Sequence, residues 1–374
     1  MTEAHDPVTY AAAGVDLELG DAASRLLYEA AQQTWKQRQD RLGAVTIPHD
    51  DFSGIRAIAV GNLPPDTVMG IGFDGIGSKI EIAERLGVWD TLAHDLFAMV
   101  CDDAVTQGAE PVLVGTVLDV NRVRLDAIAQ LAEGYVSAAA AAGVAVLNGE
   151  LAECGSRLNG YGAFTCNWGA GVVWFARRER LLSGAALRAG DAIVGLAETG
   201  CRSNGYSLLR QILQRQHGDD WHAVPHGEST LGELALQPSR IFTRAIVDMF
   251  GGIDGEPQAP LHGVVHVTGG GVPGKLGRLL RRADLGADIP SPLPPGPLLT
   301  YLQTHGPVRD REAYRVWNMG HGMLACTPQP DAVLAVAERH GITAQVVGSI
   351  TAQRGIRLRS RGCFNAGDLL SDPW

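Results

Sequence analysis

The sequence has no CxxC pair, no apolar run of membrane length and no excess of positive charge, and each lack closes a class of function. Its six cysteines, at 101, 154, 166, 201, 326 and 363, are scattered along the chain. Reduced, mostly buried thiols of a cytoplasmic protein are therefore expected, and a structural zinc site has no support. No hydrophobic stretch approaches the ~20 residues that a membrane span needs. With 31 basic against 41 acidic residues the formal net charge is −10, which argues against a nucleic-acid-binding surface. The opening residues Met1–Asp6 are polar and acidic, unlike a secretory signal. No repeat of solenoid length is visible. What is present is a chain of 374 residues, 45% hydrophobic. That is enough for a large core and about two or three domains.

Apolar runs alternate with helical patterns, which predicts an α/β architecture. Asp21 is expected to cap a helix to about Arg41, on the spacing of Leu26, Leu27, Ala30, Ala31 and Trp35. The pattern then predicts strands at 67–73, 111–118, 144–147 and 169–176, with helices at 94–108 and 126–142 between them. The charged run Arg177–Arg180 marks the expected boundary between units 1–177 and 178–374. In the second unit, strands are predicted at 191–197, 263–267, 323–326 and 344–350. Helices are predicted at 206–215, 239–250, 272–281 and 331–340. The segment 283–297, rich in proline and glycine, reads as a surface loop.

The richest stretch is Phe73-Asp74-Gly75-Ile76-Gly77-Ser78-Lys79, after the apolar run Val68–Gly72. It places a carboxylate, two bare backbone positions and an ammonium at a strand mouth. A glycine-rich turn explains it equally well, but the combination suits phosphate and a divalent cation. The overlapping GxGxxG pattern at 70–75 is not a dinucleotide site. Its glycines lie inside the strand, and Asp74 would repel a pyrophosphate. Val267-Thr268-Gly269-Gly270-Gly271 opens a helix after a strand, and Lys275 follows. Leu276 stands where a P-loop needs a hydroxyl, so the expectation is an anion site at a helix N-terminus or a tight turn.

Asp95 and Asp102 are seven apart and share a helix face, with Asp103 beside it. Such a face is most simply solvated. Asn148-Gly149-Glu150 adds a carboxylate at another strand end, so Asp74, Asp102 and Glu150 are expected to converge on one magnesium-bearing cleft. Arg202 precedes Ser203-Asn204-Gly205 between a strand and a helix. Ser203 or Asn204 is expected as the cap, and Arg202 as an anion contact. His262 and His266 read as packing residues, and residue types alone assign no chemistry to Trp317–Met323.

Taken together, these segments resemble the aminoimidazole ribonucleotide synthetase (phosphoribosylformylglycinamidine cyclo-ligase) family nearly end to end. The similarity is carried by YAAAGVD at 10–16, FDGIGSK at 73–79 and Asp102-Asp103 through Gln107-Gly108-Ala109-Glu110-Pro111. It continues through NGELAE at 148–153, SNGYSL at 203–208, Pro238-Ser239-Arg240, HVTGGG at 266–271 and NMGHGM at 318–323. The resemblance implies a two-domain α/β (α+β) fold. Its N-terminal sheet completes a barrel across a homodimer, and its C-terminal domain is an α/β layer. It also implies ATP and Mg2+, a small ribonucleotide substrate, and an imidazole ring closed through a phosphorylated formyl oxygen.

On that resemblance Asp74, Asp102 and Glu150 hold the metal, and Lys79, Arg202 and Asp74 serve catalysis. Gly75, Gly77, Ser78, Lys79, Asp95, Asn204, Gly269, Gly270 and Gly271 bind nucleotide. The sequence departs from the family in four places. Arg202 replaces a histidine, Leu151 a threonine and Asp102 an asparagine, and Phe52–Arg56 replaces a glycine-rich segment. Three alternatives stay open: a paralogue acting on a different amide or ribonucleotide, a small-molecule kinase resembling thiamine-monophosphate kinase, and a dimeric subunit without turnover.

Overall fold

The computed structural model of the chain describes residues 16–46, 54 and 56–372. Most of the segments 10–16 and 52–56 falls outside these residues. The first half is built on a four-stranded sheet in the order Thr67–Gly75, Cys166–Arg177, Glu110–Val120, Ala145–Glu153. Only the last two strands run parallel. The helices Leu92–Val105 and Leu125–Ala142 pack on each other, and the former covers one face of the sheet. At Gly70 the missing side chain makes room for the Trp174 ring, which a Cβ would strike. The other face is open, with Met69, Ile71, Phe73 and Val117 at 65%, 58%, 76% and 51% exposure.

The second half carries a seven-stranded sheet. Its order is Gly263–His266, His321–Thr327, Ala192–Ala197, Ala344–Thr351, Gly286–Ile289, Gly355–Arg359, Leu369–Asp372. Only Gly286–Ile289 and Gly355–Arg359 pair in parallel. The architecture is thus a two-unit α/β fold with mixed sheets. The helix Leu92–Val105 is buried almost throughout and lies between the halves, touching the first sheet and the helix Thr243–Phe250. Among the described residues no helix is long and apolar enough to cross a membrane. All six cysteines are free, and Cys101, Cys166, Cys201 and Cys326 are buried.

Several element boundaries differ from the sequence expectation. Asp16 rather than Asp21 caps the first helix, its Oδ1 accepting from the Leu19 N–H at 3.1 Å. That helix ends at Thr34 and tightens into a 3₁₀ turn, Trp35–Arg38, where the Trp35 indole donates to the Val146 carbonyl. The segment expected to loop over 283–297 contains a strand, Gly286–Ile289, and Pro297 begins a helix that runs to His305. Proline suits the first helical position, where no N–H is needed. The helix expected from Ser239 starts at Thr243. The Ser239 and Arg240 N–H groups instead donate to the carboxylates of Asp95 and Glu198.

Candidate active site

Two of the expected site carboxylates are inside the protein. Asp95 and Asp102 do share a face of the helix Leu92–Val105, as their spacing requires, but that face meets the second half of the chain and not solvent. Asp95 is fully buried, and its Oδ1 accepts from Lys79 Nζ at 2.7 Å, from the Ser239 N–H and from the Ser239 hydroxyl. Lys79 is equally buried and also donates to the Gln237 carbonyl at 2.6 Å. Lys79 and Asp95 therefore clamp the two halves together, which corrects the expectation that they face a nucleotide.

Asp102 is also fully buried. Its Oδ1 accepts from the Phe242 N–H and the Thr243 hydroxyl, and its Oδ2 accepts from Arg202 Nη2 at 2.8 Å. Arg202 Nη1 donates to Glu198 at 2.9 Å and to the Arg240 carbonyl at 2.8 Å. Asp102 is thus consumed by internal partners, and the expected metal role does not fit it. Arg202 is sealed from any substrate anion in this arrangement, with 0% exposure. Two of the departures from the family pattern, Arg202 and Asp102, are each other's partners. Burial pushes the Asp102 carboxyl up despite the guanidinium beside it. Burial works against the Arg202 charge, but Asp102 and Glu198 outweigh it and raise its pKa.

The neighbouring Asp103, about 100° further round the helix, is half exposed. It lines a cleft of about 150 Å³ with Asp74, Gln107 and Trp174. Burial raises the Asp74 pKa most, and the nearby Asp103 charge adds to this, while Lys275 opposes it. Burial also acts to raise Asp103, but the hydrogen bond from His266 and the charges of Lys275 and Arg202 outweigh it and leave it below the ordinary range. His266 Nδ1 lies 2.6 Å from Asp103 Oδ1 and its Nε2 lies 2.8 Å from Arg202 Nη2. The histidine expected to serve packing is thus a polar link between the buried ions and the cleft.

Glu150 lies apart. The sheet register sets it opposite Val117, in the row that includes Gly169 and Gly75. Three strand spacings, about 14 Å, separate its strand from that of Asp74. Both residues line the broad opening of about 620 Å³ over the exposed sheet face, but they cannot ligate one ion within one chain. Among the described residues no group of three or more His, Cys, Asp or Glu side chains is placed to hold a metal. The three-carboxylate cleft expected from the sequence is therefore replaced by the pair Asp74 and Asp103. Such a pair fits magnesium, which keeps several waters and takes one or two carboxylates plus substrate phosphates.

Groups suited to anions stand at two helix starts, and the charge of Lys275, on one of these helices, acts on both Asp74 and Asp103. The helix Gly271–Ala283 starts at Gly270 with no side-chain cap, and Lys275 stands in its second turn. Gly271 has φ +58°, and a Cβ there would strike the Tyr314 carbonyl, so this turn requires glycine. Asn204 does not cap the helix Tyr206–His217; its Oδ1 accepts from the Gly269 N–H at 3.1 Å and ties the two helix starts together. Asn204 Nδ2 and the Ser203 hydroxyl are buried without a protein partner. Orphaned donors beside two open helix N-termini suit phosphate oxygens. Gly77 and Ser78 are exposed on the 3₁₀ turn Gly77–Lys79.

The segment NMGHGM braces this loop pair. Asn318 Nδ2 donates to the Gly200 carbonyl at 2.7 Å. His321 is fully buried, with Nδ1 donating to the Met319 carbonyl and Nε2 accepting from the Leu293 N–H. Burial lowers its pKa from 6.5 to about 4. Between these two values the unfolded chain binds more protons than the folded one, so stability is intact above the unfolded pKa and is lost as pH falls toward 4. The shift corresponds to about 3 kcal/mol. Urea titrations from pH 7 to pH 4 should show a loss of that order, which His321→Gln flattens; an equal slope in the variant would contradict the assignment.

Two family models match the chain: AIR synthase related protein, N-terminal domain, over residues 56–170, and its C-terminal domain over residues 188–361. A phosphoribosylformylglycinamidine cyclo-ligase of Nitrosococcus oceani is 32% identical over 369 residues, covering 98% of this chain and 97% of the relative. That of Methanococcoides burtonii is 33% identical over 362 residues, covering 96% and 98%. The fold is similar to a thiamine-monophosphate kinase from Stenotrophomonas maltophilia, with TM-score 0.61 at 16% identity over 92% of this chain and 97% of that one. It is also similar to a hydrogenase maturation protein in complex with ATP, with TM-score 0.56 at 16% identity over 94% of each chain. With both domain models matched in order and full-length relatives above 30% identity, the chain belongs to the AIR synthase related family.

Proposed function

We propose that this chain is an ATP- and magnesium-dependent cyclo-ligase. It converts formylglycinamidine ribonucleotide to 5-aminoimidazole ribonucleotide, ADP and phosphate. The observation that carries the reading is the cleft where Asp74 and Asp103 sit within the field of Lys275, a residue of the glycine-opened helix Gly271–Ala283. Asp74 and Asp103 would hold magnesium, whose part is to neutralise phosphate charge. Gly270, Asn204, Gly77 and Ser78 supply donors for phosphate oxygens, and Lys275 adds a mobile charge.

The formyl oxygen attacks the terminal phosphorus of ATP, and ADP leaves. The amidine nitrogen then adds to the activated carbon, the C–O bond breaks and phosphate departs with the oxygen. A proton is lost from the attacking nitrogen as the imidazole ring forms. An amide oxygen is a poor leaving group, and its phosphoryl ester is a good one. The residues of this chain contribute positioning and charge stabilisation at the transferring group. Incubation with formylglycinamidine ribonucleotide, ATP and magnesium should release aminoimidazole ribonucleotide, ADP and phosphate in equal amounts. Release of ADP only with another amide substrate would replace this reading by the paralogue.

The working unit in this reading is a cytoplasmic homodimer of chains with domains 1–177 and 178–374. What supports it is the open sheet face, where Met69, Ile71, Phe73 and Val117 form an apolar surface larger in character than scattered exposed side chains. A second copy laid face to face by a two-fold axis would bury the same residues on both chains. Phe73→Asp should therefore convert a dimer into a monomer by light scattering. An unchanged mass in the variant would reject this face as the interface.

A further inference from the structure

The cleft carboxylate Asp103 has a histidine behind it, and that histidine has an arginine behind it. His266 is 3% exposed and sits at the end of the strand Gly263–His266. One ring nitrogen faces Asp103 Oδ1 at 2.6 Å and the other faces Arg202 Nη2 at 2.8 Å. A guanidinium only donates hydrogen bonds and does not lose its proton. The Nε2 atom of His266 must therefore carry a lone pair, which leaves the single ring proton on Nδ1, the atom facing Asp103. Arg202 is itself immobilised. Asp102 and Glu198 take one N–H from each terminal nitrogen, and the Arg240 carbonyl takes another.

We propose that Arg202 is a positioning residue: through its hydrogen bond to Nε2 it holds His266 in the Nδ1–H tautomer, which aims the Asp103 carboxylate into the cleft. The arginine thus acts on the site without touching substrate. It does so only because Asp102 accompanies it, since a lone guanidinium at 0% exposure would lack a full set of anionic partners. Asp102 and Arg202 form one unit with Glu198, and its output is the orientation of a carboxylate that neither of them contacts. Outer partners that orient metal-binding carboxylates and imidazoles commonly change metal affinity about 10–100-fold when removed. The metal part of this inference rests on the cyclo-ligase reading of the cleft; the tautomer does not.

The test is two-part. First, long-range ¹H–¹⁵N correlation spectra of the wild-type protein at neutral pH, with no nucleotide or metal, report the tautomer of His266, assigned by loss of its signals in His266→Asn. A neutral ring protonated at Nδ1 is expected. A ring protonated at Nε2, or on both nitrogens, overturns the proposal without touching the proposed activity. Second, in the paired variant D102N/R202M, which removes the cation together with one of its anions, the His266 signals should leave the Nδ1–H pattern. Magnesium-dependent ADP binding by calorimetry should weaken about tenfold. If that variant is folded by circular dichroism and keeps both the tautomer and the affinity, Arg202 has no positioning role. If it fails to fold, the wild-type spectrum alone decides.

Discussion

Replacing Asp103 by Asn is expected to lower magnesium-dependent turnover and nucleotide affinity by about a hundredfold, and Asp74→Asn by a similar factor. The two carboxylates face one cleft of about 150 Å³, and the Asp103 charge helps to raise the Asp74 pKa. That is the electrostatic mark of like charges held close, and it is costly unless a cation joins them. Asn preserves shape and hydrogen-bond acceptance on one oxygen but removes the charge. The loss should therefore appear as a weaker magnesium dependence with little change in melting temperature. Asp103 also accepts a hydrogen bond from His266 Nδ1, so its variant should in addition disturb the histidine signals, whereas the Asp74 variant should not. Unchanged affinity for magnesium and ADP in both variants would remove the cleft from consideration as the nucleotide site.

Asp102→Asn should instead act on stability, by about 3–5 kcal/mol, because it strips one anion from a guanidinium with 0% exposure. An amide nitrogen facing Arg202 would oppose a donor with a donor. Arg202→His alone should cost a comparable amount, since it leaves Asp102 and Glu198 without the group that now joins them. The double variant D102N/R202H, which carries the pair the family resemblance implies, should recover most of the loss. Urea unfolding of the wild type, both single variants and the double closes a thermodynamic cycle, and a coupling above about 1 kcal/mol is expected. Additive losses would show that the two departures from the family pattern are independent and that their contact contributes little.

The elements that carry the site were legible because glycine, carboxylate and periodicity leave marks in one dimension. The strand before Asp74 and the glycine-opened helix after His266 stand where the pattern places them, with small shifts at their ends. The seven-residue spacing of Asp95 and Asp102 was also a sound guide to a shared helix face. It could not say what that face meets. Asp103, one position on, carries the same functional group, and periodicity treats the two as equally good ligands. Only the docking of Arg202, Phe242 and Thr243 onto one side of the helix separates the structural aspartate from the cleft aspartate. Lys79 was misplaced for the same reason: an ammonium after a glycine-rich turn suits phosphate, but Asp95 and the Gln237 carbonyl reach it first. His266 left no signal of its own, because a histidine on an apolar strand usually satisfies itself inside the core.

By itself the sequence determined the family, the glycine-opened helix start after His266, and the stock of carboxylates that the fold has to place. These depend on residue type and local spacing. The tertiary structure decided which carboxylates are spent on internal cations and which are left facing the cleft. That choice depends on partners far along the chain, Arg202 for Asp102 at 100 positions and His266 for Asp103 at 163. A buried charge takes the strongest partner that packing brings to it, and no local pattern records which partner that will be.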